Sequence, residues 1–250
     1  MIKIPEKDYQ SFIPRAERCA ADRVYPLSIA CGFQPGDIWA DGDAALFWHY
    51  CGFAYISGSP SDGMLDKIYA MMTSPERPRR LLLITDDAPV IGRFRSEGAR
   101  LSLRTAYAWQ PREGREALPA PEGFEIRRIG ADDIGRITGR IVPSFSWDSG
   151  ERFLEYGFGF AAVREGQVCA VAFSAAVSPC EIDIGVETRE DCRGRGLAAA
   201  LADRMCRETA RIGKKPVWAH AVTNHGSMRT ALKCGFAADR TLTAIAAPEG

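Results

Sequence analysis

Thr188-Arg189-Glu190-Asp191-Cys192-Arg193-Gly194-Arg195-Gly196-Leu197-Ala198 is the stretch that decides how this chain folds. Before it, Glu181 to Thr188 alternates acid and aliphatic residues as far as Gly185, which reads as a strand. After it, Leu197, Leu201, Met205 and Ile212 recur as an apolar stripe, with Arg204, Arg207, Glu208 and Arg211 facing water. That spacing predicts an amphipathic helix over 197–212, capped by Gly213. A glycine-rich turn between strand and helix leaves main-chain N–H groups unpaired, and the helix dipole adds partial positive charge. Together they suit a pyrophosphate. The glycines let a phosphate approach the main chain without meeting a side chain.

Working outward, Phe124 to Ile129 alternates as a strand, and Ala131-Asp132-Asp133 opens a helix reaching about Thr138. Gly159 to Phe173 reads as a hairpin turning at Glu165-Gly166. Pro216 to Val222 is a strand. Asn224 caps a short helix that ends at Cys234 with Gly235 beyond it, and Phe236 starts a last strand to about Ala246. The order is strand, helices, three antiparallel strands, helix, strand, helix, strand. It implies an α/β (α+β) fold with a mixed, largely antiparallel sheet and helices on both faces.

Trp109 to Gly123 is polar, aperiodic and rich in Pro and Gly, and reads as a linker with a boundary near residue 120. The expected regions are therefore 1–120, an N-terminal α/β region, and 121–250. In the first, residues 28–58 fit two strands with a helix between them, Gly63 to Met72 is helical in pattern, and Leu81 to Ile84 is a buried strand. The first region shows no clean sequence repeat of the second; a degenerate structural copy would escape this reading.

Composition sets bounds. Hydrophobic residues make up 46% of the 250 and charged residues 26%, enough for a buried core. Lys plus Arg equals Asp plus Glu at 32 each, so global charge gives no sign of nucleic acid or anionic membrane as the main partner. Met1 to Asp8 lacks an apolar run and a small-residue cleavage site, so no signal peptide is expected, and no stretch resembles a membrane helix. Eight scattered cysteines without a C-x-x-C pair read as free buried thiols of a cytoplasmic protein. The three histidines His49, His220 and His225 offer no zinc-like spacing, so no metal is expected.

Alone, Arg-Gly-Arg-Gly is a weak signal that a basic surface turn would also give. No G-K-[ST] follows, which excludes a Walker-type loop, and the turn follows an antiparallel meander rather than the first strand of a dinucleotide fold. In context, Arg193-Gly194-Arg195-Gly196-Leu197-Ala198 resembles the R/Q-x-x-G-x-G/A acetyl-CoA motif of the GCN5-related N-acetyltransferases (GNAT). Asn224, Ser227 and Gly235-Phe236 resemble a second signature of that family. The resemblance spans about residues 124–246. Residues 28–58 with Glu187-Thr188 look like the branch that includes zwittermicin A resistance proteins, which carries an extra N-terminal region.

The resemblance implies a V-shaped splay between Gly185–Thr188 and Val217–Val222. The pantetheine arm of acetyl-CoA would bond main-chain groups around Val186, Glu187 and Thr188. The pyrophosphate would rest on the N–H groups of Arg193, Gly194, Arg195, Gly196, Leu197 and Ala198, with Asn224 and Ser227 beyond. It also implies that the N-terminal region is a degenerate GNAT-like half shaping the acceptor site.

Attack of an amine on a thioester needs a proton acceptor, donors for the oxyanion and a proton for the thiolate. Glu187, at the strand end beside the expected thioester, is the first candidate for the base; a solvated carboxylate is the plain alternative. Asp183 shares its face if alternation holds, and is the second candidate or a contact for substrate charge. His220 is a catalytic candidate or a hydrogen-bonded core histidine. The resemblance implies that Trp147 and Asp148 line the acceptor pocket, although Trp147 suits a core equally. Relatives carry a tyrosine seven residues after the asparagine; here that position is Ala231, which leaves Ser227 or water to protonate the thiolate. The expected partner is a small-molecule primary amine. Two other readings stay open: an aminoacyl-tRNA donor, met by Arg77, Arg79, Arg80, Arg93, Arg95, Arg100 and Arg104, or a non-catalytic acyl-CoA-binding protein.

Overall fold

The computed structural model describes residues 1–111, 114 and 116–249. Arg112, Glu113 and Arg115 of the expected linker lie outside the described residues. By internal packing the chain divides into two compact units, 1–105 with 241–250, and 106–240. This division differs from a boundary at 120. The first break falls inside a strand, 100–109, and the second inside the last strand, 236–246.

The first unit carries, in order, β1 (Ile2–Lys3), α1 (Ile13–Glu17), α2 (Val24–Ala30), β2 (Gly36–Asp41), β3 (Ala44–His49), β4 (Phe53–Ser57), α3 (Asp62–Thr73), β5 (Leu82–Thr85), α4 (Ala88–Ser96) and the start of β6 (Arg100–Trp109). Strands β1 to β4 pair antiparallel in sequence order, and β4 runs parallel to β5. Residues 28–58 are thus the end of one helix and three strands, not two strands around a helix. All six residues of β3 are buried, so the alternation that marks a half-buried strand is missing there. The core joins Leu46, Trp48, Met64, Ile68, Leu83 and Phe94. Burying each such side chain contributes about 1.5–3 kcal/mol.

His49, at the end of β3, is fully buried. The Cys51 N–H donates to its Nδ1 at 3.2 Å, and its Nε2 has no partner among the described residues. Burial, with Arg79 adding repulsion, pushes its imidazole down to about 3. Between pH 6.5 and about 3 the unfolded chain therefore binds a proton that the folded chain does not, and stability falls as pH drops through that window. From pH 7 to 5 the expected loss is about 2 kcal/mol. Denaturant midpoints at both pH values check it: His49→Gln should lose distinctly less than the wild type.

The second unit carries the end of β6, then β7 (Glu125–Arg128), α5 (Ala131–Ile134), α6 (Gly150–Tyr156), β8 (Gly159–Arg164), β9 (Gln167–Val177), β10 (Glu181–Thr188), α7 (Leu197–Arg211), β11 (Lys215–Ala221), α8 (His225–Lys233) and the start of β12 (Phe236–Ala246). This repeats the element order of the first unit. Strands β7 to β10 pair antiparallel and β10 runs parallel to β11, as β4 does to β5. The sheet is mixed and largely antiparallel, as the alternation implied. In the β8–β9 turn, Glu165 (φ 52°) and Gly166 (φ 74°) are both left-handed, the conformation of a two-residue hairpin turn. In the first unit, β12 closes the sheet by pairing antiparallel with β5 at Thr243–Ile245.

Three local expectations are corrected. The helix expected to reach Thr138 ends at Ile134, where Gly135 follows and the Asp133 carbonyl accepts a 3-10-type bond from Arg136 and one last α-type bond from Ile137. Ile212 is 42% exposed because α7 ends at Arg211, leaving Ile212 as its cap. Cys180 is exposed and Cys31 half-buried, while the other six thiols are buried. In the expected linker, the Leu118 N–H bonds the Asp203 carboxylate at 2.9 Å and the Gln110 N–H bonds the Gly235 carbonyl at 2.9 Å.

Candidate active site

The site is built at the point where β10 and β11 part. They pair at Glu181–Lys215, Ile182–Pro216 and Asp183–Val217, and the register runs no further, although β10 continues to Thr188 and β11 to Ala221. On the other side of β10, the pairing with β9 shifts between Asp183 and Ile184, skipping Ala175 on β9. A bulge at that level adds local twist, and the twist turns the end of β10 away from β11. Asp183 therefore occupies the last paired position. Val186, Glu187 and Thr188 lie on the free arm.

The turn after β10 is an open anion cradle. Gly194 (φ 79°) and Gly196 (φ 84°) are left-handed, and Gly196 caps α7. A Cβ at Gly194 would meet nothing within 4 Å, and one at Gly196 only Pro121 at 4.0 Å. The first bond into α7 is Ala200 N–H to the Gly196 carbonyl, and among the described residues the N–H groups of Gly194 to Ala199 have no partner. The Thr188 hydroxyl is buried and also lacks a partner among the described residues. Unpaired donors, two positions without a side chain and an unsatisfied hydroxyl fit the phosphates and amide arm of an acyl-CoA.

Glu187 is held rather than free. Its Oε2 accepts N–H bonds from Ile141 at 2.9 Å and Arg140 at 3.2 Å, while Arg193 stands 4.0 Å from Oε1. Gly139 (φ 144°) packs against its stem, where a Cβ would lie 2.7 Å from Cγ. The segment after α5 is thereby pinned to the strand end. Glu187 also lines a small depression with Ile137, Thr138, Val171 and Arg189. The Arg193 Nε donates to the Thr188 carbonyl at 3.2 Å.

The other candidates separate. Asn224 caps α8 by accepting the Ser227 N–H at 3.0 Å, and the Ser227 hydroxyl accepts from the Trp218 indole at 3.0 Å, which leaves its own proton available. His220 is 5% exposed, with both ring nitrogens engaged: Nδ1 lies 2.8 Å from the Ala221 carbonyl and Nε2 3.1 Å from the Tyr107 hydroxyl. Trp147 is 2% exposed, donates to the Ser174 carbonyl at 2.8 Å and stacks edge-on with Phe153, so it is a core residue and offers no surface to an acceptor. Asp148 is exposed and paired with Arg152 at 3.4 Å. Sequence reading missed Tyr107 and the Arg140 and Ile141 amides. Tyr107 lies 113 residues from its histidine, and no local pattern marks a main-chain donor. Among the described residues no group of His, Cys, Asp or Glu could hold a metal ion, and no helix is long and apolar enough to cross a membrane.

A parallel strand pair that splays above a glycine turn, with free helix N-terminal amides, makes a site suited to an anionic ligand. The chain belongs to the GNAT acetyltransferase family, whose sequence model matches residues 24–245. It is 30% identical over 135 residues to the uncharacterized N-acetyltransferase YdfB of Bacillus subtilis (strain 168), a match covering 53% of this chain and 52% of that protein. Its fold is similar to that of a GCN5-related N-acetyltransferase-like protein from Streptococcus suis 89/1591, with TM-score 0.72, 22% identity and coverage of 97% and 100% of the two chains. A tandem GNAT protein from the clavulanic acid biosynthesis pathway is similar in fold at TM-score 0.64 and 14% identity, over 100% of this chain and 99% of that one.

Proposed function

We propose that this chain moves an acetyl group from acetyl-CoA to the primary amine of a small molecule, by direct attack within a ternary complex. The observation that carries this is the cradle at 193–198, where among the described residues the N–H groups from Gly194 onward to Ala199 stand unpaired at the mouth of the splay. Bound there, acyl-CoA supplies the activated acyl group. Arg193 to Ala198 hold its pyrophosphate, and the main chain of Val186 to Thr188 holds its amide arm. Glu187, fixed by the Arg140 and Ile141 amides, keeps Oε1 to take a proton from the incoming ammonium. Asp183, at the last paired position, is the second carboxylate of that strand.

The first unit, with its repeated element order, is on this reading a degenerate copy. Its turn between β4 and α3 is already closed: the Ser61 side chain accepts the Met64 N–H at 3.1 Å and bonds Asp41, and Asp62 opens the helix. An anion there would meet carboxylates and an occupied cap. Five of the seven arginines that a tRNA donor would meet have charged or aromatic partners among the described residues. Arg79 pairs with Asp37, Arg93 with Asp66 and Glu97, and Arg100 with Glu249, while Arg80 and Arg104 lie over Phe53. A thiol-release screen of the full chain with acetyl-CoA and a panel of primary amines tests the reading. Amine-dependent CoA release is expected, and CoA binding without release for any amine would leave a binding protein instead.

A further inference from the structure

His220 and Tyr107 form a buried pair whose hydrogen bonds fix the direction of the proton. The Ala221 carbonyl can only accept, so His220 Nδ1 carries the hydrogen, and in the neutral imidazole Nε2 is then the acceptor. The Tyr107 hydroxyl therefore donates to Nε2 across 3.1 Å, and its own oxygen lone pairs stay available. The two rings lie 5.1 Å apart, and Tyr107 is 7% exposed. Burial raises its phenol above the ordinary value, which keeps it protonated.

The pair stands level with the splay. Three residues past the last paired position on each strand are Val186 on β10 and His220 on β11. Two residues beyond Tyr107, the Trp109 indole donates to the Cys234 carbonyl at 3.0 Å, which sets β6 against the last turn of α8. Ala231 in that helix is fully buried and brings no hydroxyl.

We propose that Tyr107, backed by His220, carries the second proton of the reaction from the amine nitrogen to the departing sulfur. This rests on the acyl-transfer reading above. Glu187 takes the first proton, the one that converts ammonium to amine. After attack forms the N–C bond, the proton left on nitrogen passes to Tyr107 Oη as the tyrosine's own proton moves to His220 Nε2. When the C–S bond breaks, its electron pair stays on sulfur. His220 then returns its proton to Tyr107, and Tyr107 gives one to the thiolate. Both residues end as they began. Tyr107 is the catalytic residue and His220 the positioning residue behind it.

Steady-state kinetics with acetyl-CoA and ethanolamine, putrescine, glucosamine and lysine, beside calorimetry with CoA, test the pair. Tyr107→Phe should lower kcat by about 10²-fold, the lower end of general acid–base effects, with CoA affinity and melting temperature near wild type. His220→Ala should be rescued by added imidazoles, more strongly the more basic they are, which filling a hole would not produce. Independently of turnover, nitrogen NMR of the full chain should show His220 as the Nδ1–H tautomer. Wild-type kcat in Tyr107→Phe, rescue indifferent to basicity, or a proton on Nε2 would overturn the relay and leave acyl transfer standing. A wild-type chain that binds CoA but acetylates no amine would overturn both.

Discussion

Gly196→Val is expected to abolish acetyl-CoA binding in a chain that still folds. Gly196 is left-handed (φ 84°), and a Cβ there would find only Pro121, at 4.0 Å. The protein itself thus leaves room for the side chain; the space it would fill is that of the incoming phosphate. A left-handed valine costs about 1–2 kcal/mol of backbone energy. Gly213 (φ 77°), with nothing within 4 Å of its own Cβ position, supplies the control for that strain at the other end of α7. Gly213→Val should lower the melting point similarly and keep CoA affinity. Gly196→Val should weaken CoA by 100-fold or more, about 2.7 kcal/mol or beyond. Unchanged affinity in a folded Gly196→Val chain would remove the loop from the site.

Glu187→Gln is expected to lower kcat/KM by about 10²–10⁴-fold while CoA affinity stays near wild type. The amide oxygen of glutamine can still accept the Arg140 and Ile141 N–H bonds that Oε2 accepts, so the segment after α5 stays pinned. What is lost is the capacity to take a proton. Glu187→Ala separates this from a purely structural clamp. If Glu187 only pins the segment, the glutamine variant keeps its turnover and the alanine variant loses it. If Glu187 is the base, both lose it. Wild-type turnover in Glu187→Gln with a dead Asp183→Asn would move the base to Asp183.

The second unit could be read from sequence from β8 onward because those elements carry local marks. Glu165-Gly166 sets the hairpin, Asn224 caps α8, and the stripe of Leu197, Leu201 and Met205 is buried where its spacing put it. In the first unit α3 and β5 were marked in the same way, but residues 28–58 were not. Ala44 to His49 is buried on both faces, so β3 has no period to distinguish it from a helix. Of the candidate site, the cradle was visible because conformation and glycine go together. The shape of the acceptor side was not. Trp147 was placed there by resemblance alone, and its indole is spent on the Ser174 carbonyl in the core. The grip on Glu187 comes from main-chain amides, which have no sequence signature, and Tyr107 reaches His220 only through the fold.

If the turn at 193–198 holds the pyrophosphate of acyl-CoA, calorimetric titration of the full chain will show it. Acetyl-CoA should saturate at one molecule per chain, since the first unit's equivalent turn is capped by Ser61. Acetyl-pantetheine, which lacks the pyrophosphate and nucleotide, should bind far more weakly. Equal affinity for the two ligands, or no binding of either, would contradict the account.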